Sequence, residues 1–342
     1  MTLVLAGDIG GTKTLLGLYR CRDGGQPERC REQRYPSAEW PDLARMVQAF
    51  LAAGAETDGG HPRAACFAVA GPVRGGQARL TNLPWNLRES DLAAECAIPQ
   101  VELVNDFAVL VHGLPHLRPD QVRPLHAGEA DAAAPCLVLG AGTGLGVAIG
   151  IPTAAGLQAM ASEASHGEFA PRSAGEWRLR QWLLEDLQLE RLSSERIVSG
   201  TGLGHVARWF LAEQDVDPQH PLQAAARRWL DPEDTEEDLP ARVAILAAAG
   251  DPLARAALDL WLGAYGSLTG DLALATLARG GIWLAGGTAA KLLDELGSER
   301  FRQPMLAKGR LSGVLEDIPV TAITDAAIGS FSAACRARAL LE

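Results

Sequence analysis

One pattern constrains this chain more than any other. A short apolar run, a glycine turn and a second apolar run occur twice, about 130 residues apart. The first copy comprises residues 4–9, the Gly10-Gly11 turn and residues 14–19. The second comprises residues 137–139, the turn Gly140-Ala141-Gly142-Thr143-Gly144-Leu145-Gly146, and residues 147–151. Paired glycines between β-forming runs are a hairpin signal, because glycine reaches the positive φ values that tight hairpin turns need. Further segments after each copy alternate in character. Residues 41–53 predict a helix with Leu43, Met46, Val47, Phe50 and Leu51 on one face, and residues 64–70 and 101–104 predict strands. Residues 90–97 predict a short helix capped by Ser90. In the second half, helices are predicted over 175–189, 202–213, 221–230 and 252–277. Residues 282–285 and 320–323 predict strands, Gly286-Gly287 opens a helix to about Leu296, and a last helix covers 326–341. The repeat therefore predicts two similar α/β domains facing each other, with a ligand in the cleft between them.

Length agrees, since 342 residues correspond to about two domains. The chain is 47% apolar and 21% charged, as in soluble globular proteins. Its net charge of −11 argues against a nucleic-acid binder. Much of that charge lies in one run, Asp231, Glu233, Asp234, Glu236, Glu237 and Asp238, read as a solvated loop. The six cysteines contain no C-x-x-C pair, which points to reduced, cytoplasmic thiols rather than disulfides or zinc. Residues 132–162 carry no formal charge over 31 positions, long enough to span a bilayer. Six glycines and two prolines interrupt them, so buried strands around a turn are expected and no membrane span. No signal peptide is expected at the N-terminus, which runs straight into a strand.

The first turn lies in Gly7-Asp8-Ile9-Gly10-Gly11-Thr12-Lys13-Thr14. Consecutive glycines let backbone amides approach phosphate oxygens, Thr12 adds a hydroxyl donor and Lys13 a positive charge. Asp8, a carboxylate beside a phosphate-binding turn, implies Mg²⁺ between them. A Walker A loop is disfavoured because Thr12 stands where that motif has glycine, and because the next segment reads as strand rather than helix. The alternative is a plain Gly-Gly hairpin. In the second turn, the glycine spacing matches G-x-G-x-x-G in no register, which disfavours a Rossmann site. Together the two turns could clamp one polyphosphate from opposite sides.

Asn105-Asp106 ends a predicted strand, where a carboxylate can take a proton from a substrate hydroxyl or, alternatively, cap a following helix. Glu163, His166 and Glu195 suit hydrogen bonding to sugar hydroxyls; each also has an ordinary structural reading. The Gly286-Gly287 pair, at the end of an apolar strand, permits a ring or a phosphate near the backbone.

Taken together, these motifs resemble the bacterial glucokinase family, hexokinase-type sugar kinases of the actin-like ATPase (ribonuclease H-like) superfamily. The resemblance covers nearly the whole chain. It rests on residues 7–12 and 142–144 as phosphate motifs, Thr81-Asn82 and Trp85 near the sugar, Asn105-Asp106-Phe107, and Ser199-Gly200-Thr201-Gly202 with Ala285-Gly286-Gly287 as nucleotide segments. Lys13 stands where many members have asparagine, and Ala164-Ser165 where glycines are usual. No cysteine follows His166, unlike the zinc motif of the repressor–kinase (ROK) relatives.

The resemblance implies transfer of the ATP γ-phosphoryl group to the 6-hydroxyl of glucose, with Asp106 as base. It implies a sugar site of Asn82, Asn105, Asp106, Glu163, His166 and Glu195, and a nucleotide site of Gly7, Asp8, Ile9, Gly10, Gly11, Thr12, Lys13, Gly142, Thr143, Gly144, Gly286 and Gly287. Asp8 would hold Mg²⁺ through water. A small domain of residues 1–110, completed by the helix 326–342, and a large domain of 111–325 are expected, in a cytoplasmic protein for which a homodimer is open. Mannose or an amino sugar as substrate, or polyphosphate as donor, would use the same chemistry. A non-catalytic sugar sensor is disfavoured by the presence of Asp106 and by a chain that begins at its first strand. An actin-like polymer subunit would have no use for the sugar-directed cluster.

Overall fold

The protein is described by a computed structural model covering residues 1–22, 25–55, 59–80, 83–231 and 238–342. Strands β1 (Thr2–Ile9) and β2 (Lys13–Cys21) form the first hairpin, antiparallel with Ile9 opposite Thr14. Strand β3 (Glu28–Pro36) continues the meander, and β4 (Ala64–Val69) lies parallel to β1 with Phe67 opposite Gly7. Three short strands, β5 (Val73–Arg74), β6 (Gln77–Arg79) and β7 (Asn86–Arg88), make a small separate sheet. Strand β8 (Gln100–Asn105) then pairs parallel with β4, so the first sheet has the order β3-β2-β1-β4-β8. The second sheet is built from β9 (Val122–His126), β10 (Cys136–Ala141), β11 (Leu145–Thr153), β12 (Gly156–Ser162), β13 (Ile282–Ala285) and β14 (Val320–Ile323). Its order is β12-β11-β10-β13-β14-β9. In both sheets three strands that follow one another in sequence are followed, on the far side of the first, by two later strands in chain order. The hairpin repeat thus marks a repeated topology.

The described residues divide into two compact units. One contains Met1–Val122, Ala148–Ala161 and Asp325–Glu342, and the other Arg123–Val147 and Ser162–Thr324. In the first unit the buried face of the helix Leu43–Ala53 (Leu43, Met46, Val47, Phe50) packs with Leu5, Leu16, Leu18 and Phe67 of the sheet. The helix begins where Asp42 accepts a hydrogen bond from the Arg45 amide at 2.7 Å. In the second unit the long helix Pro252–Thr276 buries Trp261 and Tyr265, and Tyr265 meets both Trp261 and Phe301 edge to face, each at a centroid separation of 5.4 Å.

Several expectations are corrected here. Ser90 is not a cap: the helix Glu89–Cys96 begins one residue earlier, Arg88 stands before it, and the Ser90 hydroxyl bonds the Asp91 carboxylate instead. The uncharged stretch 132–162 does form strands, but only β10 and most of β11 are buried; β12 is an edge with Met160 exposed. The helix opened by Gly287 breaks at Leu292, whose φ of −118° and ψ of 33° separate Gly287–Lys291 from Leu293–Leu296. No helix among the described residues is long and apolar enough to cross a membrane. All six cysteines are free, and only Cys30 is exposed.

One buried histidine, His205, and one half-buried histidine, His112, give the fold a pH dependence. Burial pushes His112 down to about 4, helped by Arg336 against the opposing Glu102. Burial also pushes His205 down to about 4, helped by Arg208 and Arg196 against Asp186. Between these values and the unfolded-state value near 6.5 the unfolded chain binds more protons than the folded one, so stability falls as pH drops through that window. Each histidine contributes a slope of up to about 1.4 kcal/mol per pH unit. The urea midpoint is expected to fall between pH 7 and pH 5, and less so in the His205→Phe variant; a midpoint independent of pH in this range would contradict the assignment.

Candidate active site

The first glycine turn is braced from outside its own sequence. Gly10 donates its amide to the Lys13 carbonyl at 3.0 Å, and Ser37, fully buried, ties the turn down. The Ser37 amide donates to the Thr12 carbonyl at 3.0 Å, its hydroxyl donates to the Gly10 carbonyl at 2.9 Å, and it lies 3.0 Å from the Thr14 hydroxyl. Ser37 carries no motif, and only the tertiary fold brings it here. Among the described residues the amides of Gly11 and Thr12 have no acceptor, and Thr12 and Lys13 are exposed, so the tip presents donors to solvent. Gly7 and Ile9, by contrast, are buried in β1, and a Cβ on Gly7 would lie 2.5 Å from the Phe67 ring. Packing accounts for that glycine.

Asp8 is half-buried and its carboxylate bonds no other described side chain. Burial raises its pKa above the usual carboxylate range, with Arg34 acting in the opposite direction. The described residues contain no group of three or more metal-ligating side chains. A single carboxylate with free lone pairs fits a divalent ion held mainly by water and phosphate oxygens, which is how Mg²⁺ binds beside nucleotides.

At the end of β8, Asn105 organises the loop. Its side-chain oxygen accepts from the amides of Phe107 and Ala108, both at 3.0 Å, and its amide nitrogen donates to the Gly71 carbonyl at 3.2 Å and to the Asp106 carboxylate at 3.1 Å. Asp106 also accepts from the Phe107 amide at 3.0 Å, while its own amide bonds the Val69 carbonyl at 3.0 Å. Asn105 is therefore the capping residue of this turn, and it holds one oxygen of Asp106 in place. Thr81 and Asn82 lie outside the described residues. Trp85 is buried, with its indole nitrogen 3.3 Å from the Trp40 carbonyl.

In the second unit, Glu163 and His166 flank one 3₁₀ turn, Ala164–His166, and Glu195 lies on another, Ser194–Arg196. The two turns are stitched together where Ser194 donates its amide to the Gly167 carbonyl at 2.8 Å and Phe169 donates to Leu192 at 2.8 Å. His166 and Glu163 are exposed side chains 3.6 Å apart. Glu195 is half-buried, and one of its oxygens accepts from the Leu145 amide at 2.9 Å.

The second glycine turn meets the N-terminus of the helix Gly200–Glu213. The Gly200 amide donates to the Gly142 carbonyl at 2.7 Å and the Thr201 hydroxyl to the Thr143 carbonyl at 2.9 Å. Ser199 caps that helix, accepting from the Gly202 amide at 2.9 Å, and its carbonyl accepts from the Trp261 indole at 2.9 Å. Gly286 brings in the third segment: its φ of +88° excludes most side chains, and a Cβ there would lie 3.1 Å from the Ala141 carbonyl. The three segments border a cavity of about 620 Å³. The amides of Thr143 and Thr201, the Gly287-Thr288 helix start and Lys291 supply donors and positive charge, Gly142 and Gly200 line the cavity with their amides engaged in the turn, and Leu203, Trp229, Pro240, Ala241, Ala244 and Leu292 form an apolar wall. A helix N-terminus beside a lysine attracts anions, and an apolar wall takes a flat ring; the volume is that of a small-molecule site. Sequence reasoning found the glycines but missed Lys291 and the wall, which carry no local pattern. Asp238, from the acidic run, lines the same cavity while capping the helix Leu239–Ala248 through the Ala241 amide at 3.1 Å. Glu233, Asp234, Glu236 and Glu237 of that run lie outside the described residues.

Two sheets of repeated order, with donor-rich glycine turns and a cavity of nucleotide size, fit a phosphate-transferring protein of the ribonuclease H-like, actin-like ATPase fold. Known proteins agree: a crystal structure of a glucokinase from an Antarctic psychrotroph superimposes with a TM-score of 0.82 at 28% identity, over 99% of both chains. The family model described as Glucokinase matches residues 5–340. A glucokinase of Synechocystis sp. is 41% identical over 96% of this chain and 96% of its own, and one of Nostoc sp. is 39% identical over 99% and 100%. The chain belongs to the glucokinase family.

Proposed function

We propose that this chain transfers the γ-phosphoryl group of ATP to the 6-hydroxyl of glucose, with Asp106 as the base. The observation that carries the reading is the cavity in which the Gly142-Thr143 turn, the Gly200-Thr201 helix start and the Gly287-Thr288 helix start converge, within a chain of the glucokinase family. Phosphoryl transfer asks little covalent chemistry of a protein, so positioning and charge neutralisation dominate. The donors of Thr143, Gly144, Gly286 and Gly287, with Lys291, would hold the phosphates, Gly142 would shape the turn beneath them, and the apolar wall would take the base. The tip Gly10, Gly11, Thr12 and Lys13 would contribute further donors to the phosphates. Asp8 would hold Mg²⁺ through water; when bound, that ion neutralises charge on the β- and γ-phosphates.

Asp106 would accept the proton of the 6-hydroxyl as it attacks the γ-phosphorus, held in aim by the Asn105 amide. Glu163, His166 and Glu195, with Asn82 and Asn105, would receive the other hydroxyls. Five buried free cysteines fit a reducing cytoplasm.

A coupled assay of ADP release, run across glucose, mannose, glucosamine and N-acetylmannosamine with ATP as donor, together with an assay of glucose 6-phosphate formation with polyphosphate as donor, tests the proposal. The expected result is the highest kcat/KM with glucose and ATP. ADP release with none of the sugars would refute it, and a higher kcat/KM for another hexose would reassign the substrate.

A further inference from the structure

The Glu195 carboxylate faces two ways. Its Oε2 accepts a hydrogen bond from the Leu145 amide, immediately after the glycine turn, at 2.9 Å, and a Cβ on Gly144 would come within 2.6 Å of that same oxygen. Glycine at 144 thus leaves room for the carboxylate against the turn. The same segment grips the turn twice more, through Gly200 to Gly142 and Thr201 to Thr143. Of these three ties, only Glu195 uses a charged side chain, and only its residue also belongs to the sugar-directed cluster, on a turn stitched to that of Glu163 and His166.

We propose that Glu195 is a positioning residue for the phosphate-binding turn and couples sugar binding to nucleotide affinity. This rests on the kinase reading above. Oε2 holds the Leu145 amide, which fixes the turn so that the Thr143 and Gly144 amides point at phosphate. Oε1 makes no hydrogen bond to another described residue and is left for a sugar hydroxyl. A hydroxyl on Oε1 restricts the carboxylate's rotation and firms the bond at Oε2. The sugar thereby rigidifies the turn, and a nucleotide arriving second meets donors already ordered. Linkage requires the reverse as well: nucleotide tightens sugar binding by the same factor.

The test is calorimetric binding of the non-hydrolysable analogue AMP-PNP with Mg²⁺ to the full chain, with and without glucose. Glucose is expected to tighten AMP-PNP in the wild type. Glu195→Ala should weaken AMP-PNP in the absence of sugar by about tenfold, the scale of one charge-assisted hydrogen bond, and abolish the glucose effect. Glu195→Gln keeps an acceptor for Leu145, so its sugar-free AMP-PNP affinity should stay within about twofold of wild type while the glucose KM rises. A merely structural role would not give that split. Where Glu195→Ala fails to fold, Gly144→Ala serves instead: its methyl displaces Oε2, and the sugar-free affinity should fall likewise. Wild-type AMP-PNP affinity in a folded Glu195→Ala or Gly144→Ala variant overturns the proposal, as do equal losses in the Gln and Ala variants. Failure of the kinase reading is seen separately, as absence of glucose phosphorylation by the wild type, and leaves the sugar-free binding comparison decisive for the brace.

Discussion

Replacing Asp106 by alanine is expected to lower kcat on glucose by about 10²–10⁴, the usual range for a positioned general base, with a smaller change in the glucose KM. The reason lies in what stays behind. Asn105 keeps its contacts with Phe107, Ala108 and Gly71, so the loop at the end of β8 retains its shape. The Phe107 amide, which Asp106 shares with Asn105, keeps one acceptor. The isosteric Asp106→Asn variant sharpens the comparison: it preserves an oxygen for Phe107 and removes the basicity. Steady-state kinetics with unfolding curves for both variants give the answer. Folded variants with turnover near that of the wild type would remove Asp106 from the reaction.

The second large effect concerns Trp261, which touches no proposed ligand. It is fully buried and supports the Ser199 carbonyl at the foot of the helix Gly200–Glu213. Trp261→Ala is expected to cost about 3–5 kcal/mol of stability through the cavity it leaves between Tyr265 and the Ser199 segment. Trp261→Phe fills most of that volume and removes one of the two donors to the Ser199 carbonyl, which keeps the Leu203 amide at 3.0 Å, for a smaller cost of about 0.5–1.5 kcal/mol. Because Ser199 also caps the helix whose first residues border the nucleotide cavity, the Phe variant should raise the KM for ATP more than that for glucose. Urea denaturation and the two KM values separate these effects. An Ala variant within about 1 kcal/mol of wild type would mean that the indole is not packed as described.

Much of this architecture is legible in the linear chain because its signals are local. Apolar runs mark both hairpins, with a glycine pair in the first turn and alternating glycines in the second, and the strands 282–285 and 320–323 are observed with the predicted limits. Strand β3 escapes such reading. Its sequence, Glu28–Pro36, carries charge at five of its nine positions and little apolar alternation, as suits an exposed sheet edge that must not pair with other chains. Strand β12 escapes for a related reason: it is an edge strand, and its burial comes from one neighbour. The Ser90 cap is misread because serine followed by a helical pattern is a statistical signal, whereas the chain enters this helix directly from β7.

What the sequence determined by itself is the set of backbone turns and the chemistry they can present, since glycine, threonine, lysine and strand-terminal carboxylates act through short-range geometry. The tertiary structure alone decided what holds those turns. Ser37 reaches the first turn across more than twenty residues of chain, Glu195 and Gly200 reach the second across about fifty, and Trp261 supports Ser199 from a helix still further on. These partners have no fixed spacing from the groups they support. A hydrogen bond requires only that two atoms meet in space, and which atoms meet follows from sheet order and helix packing rather than from any neighbourhood in the chain.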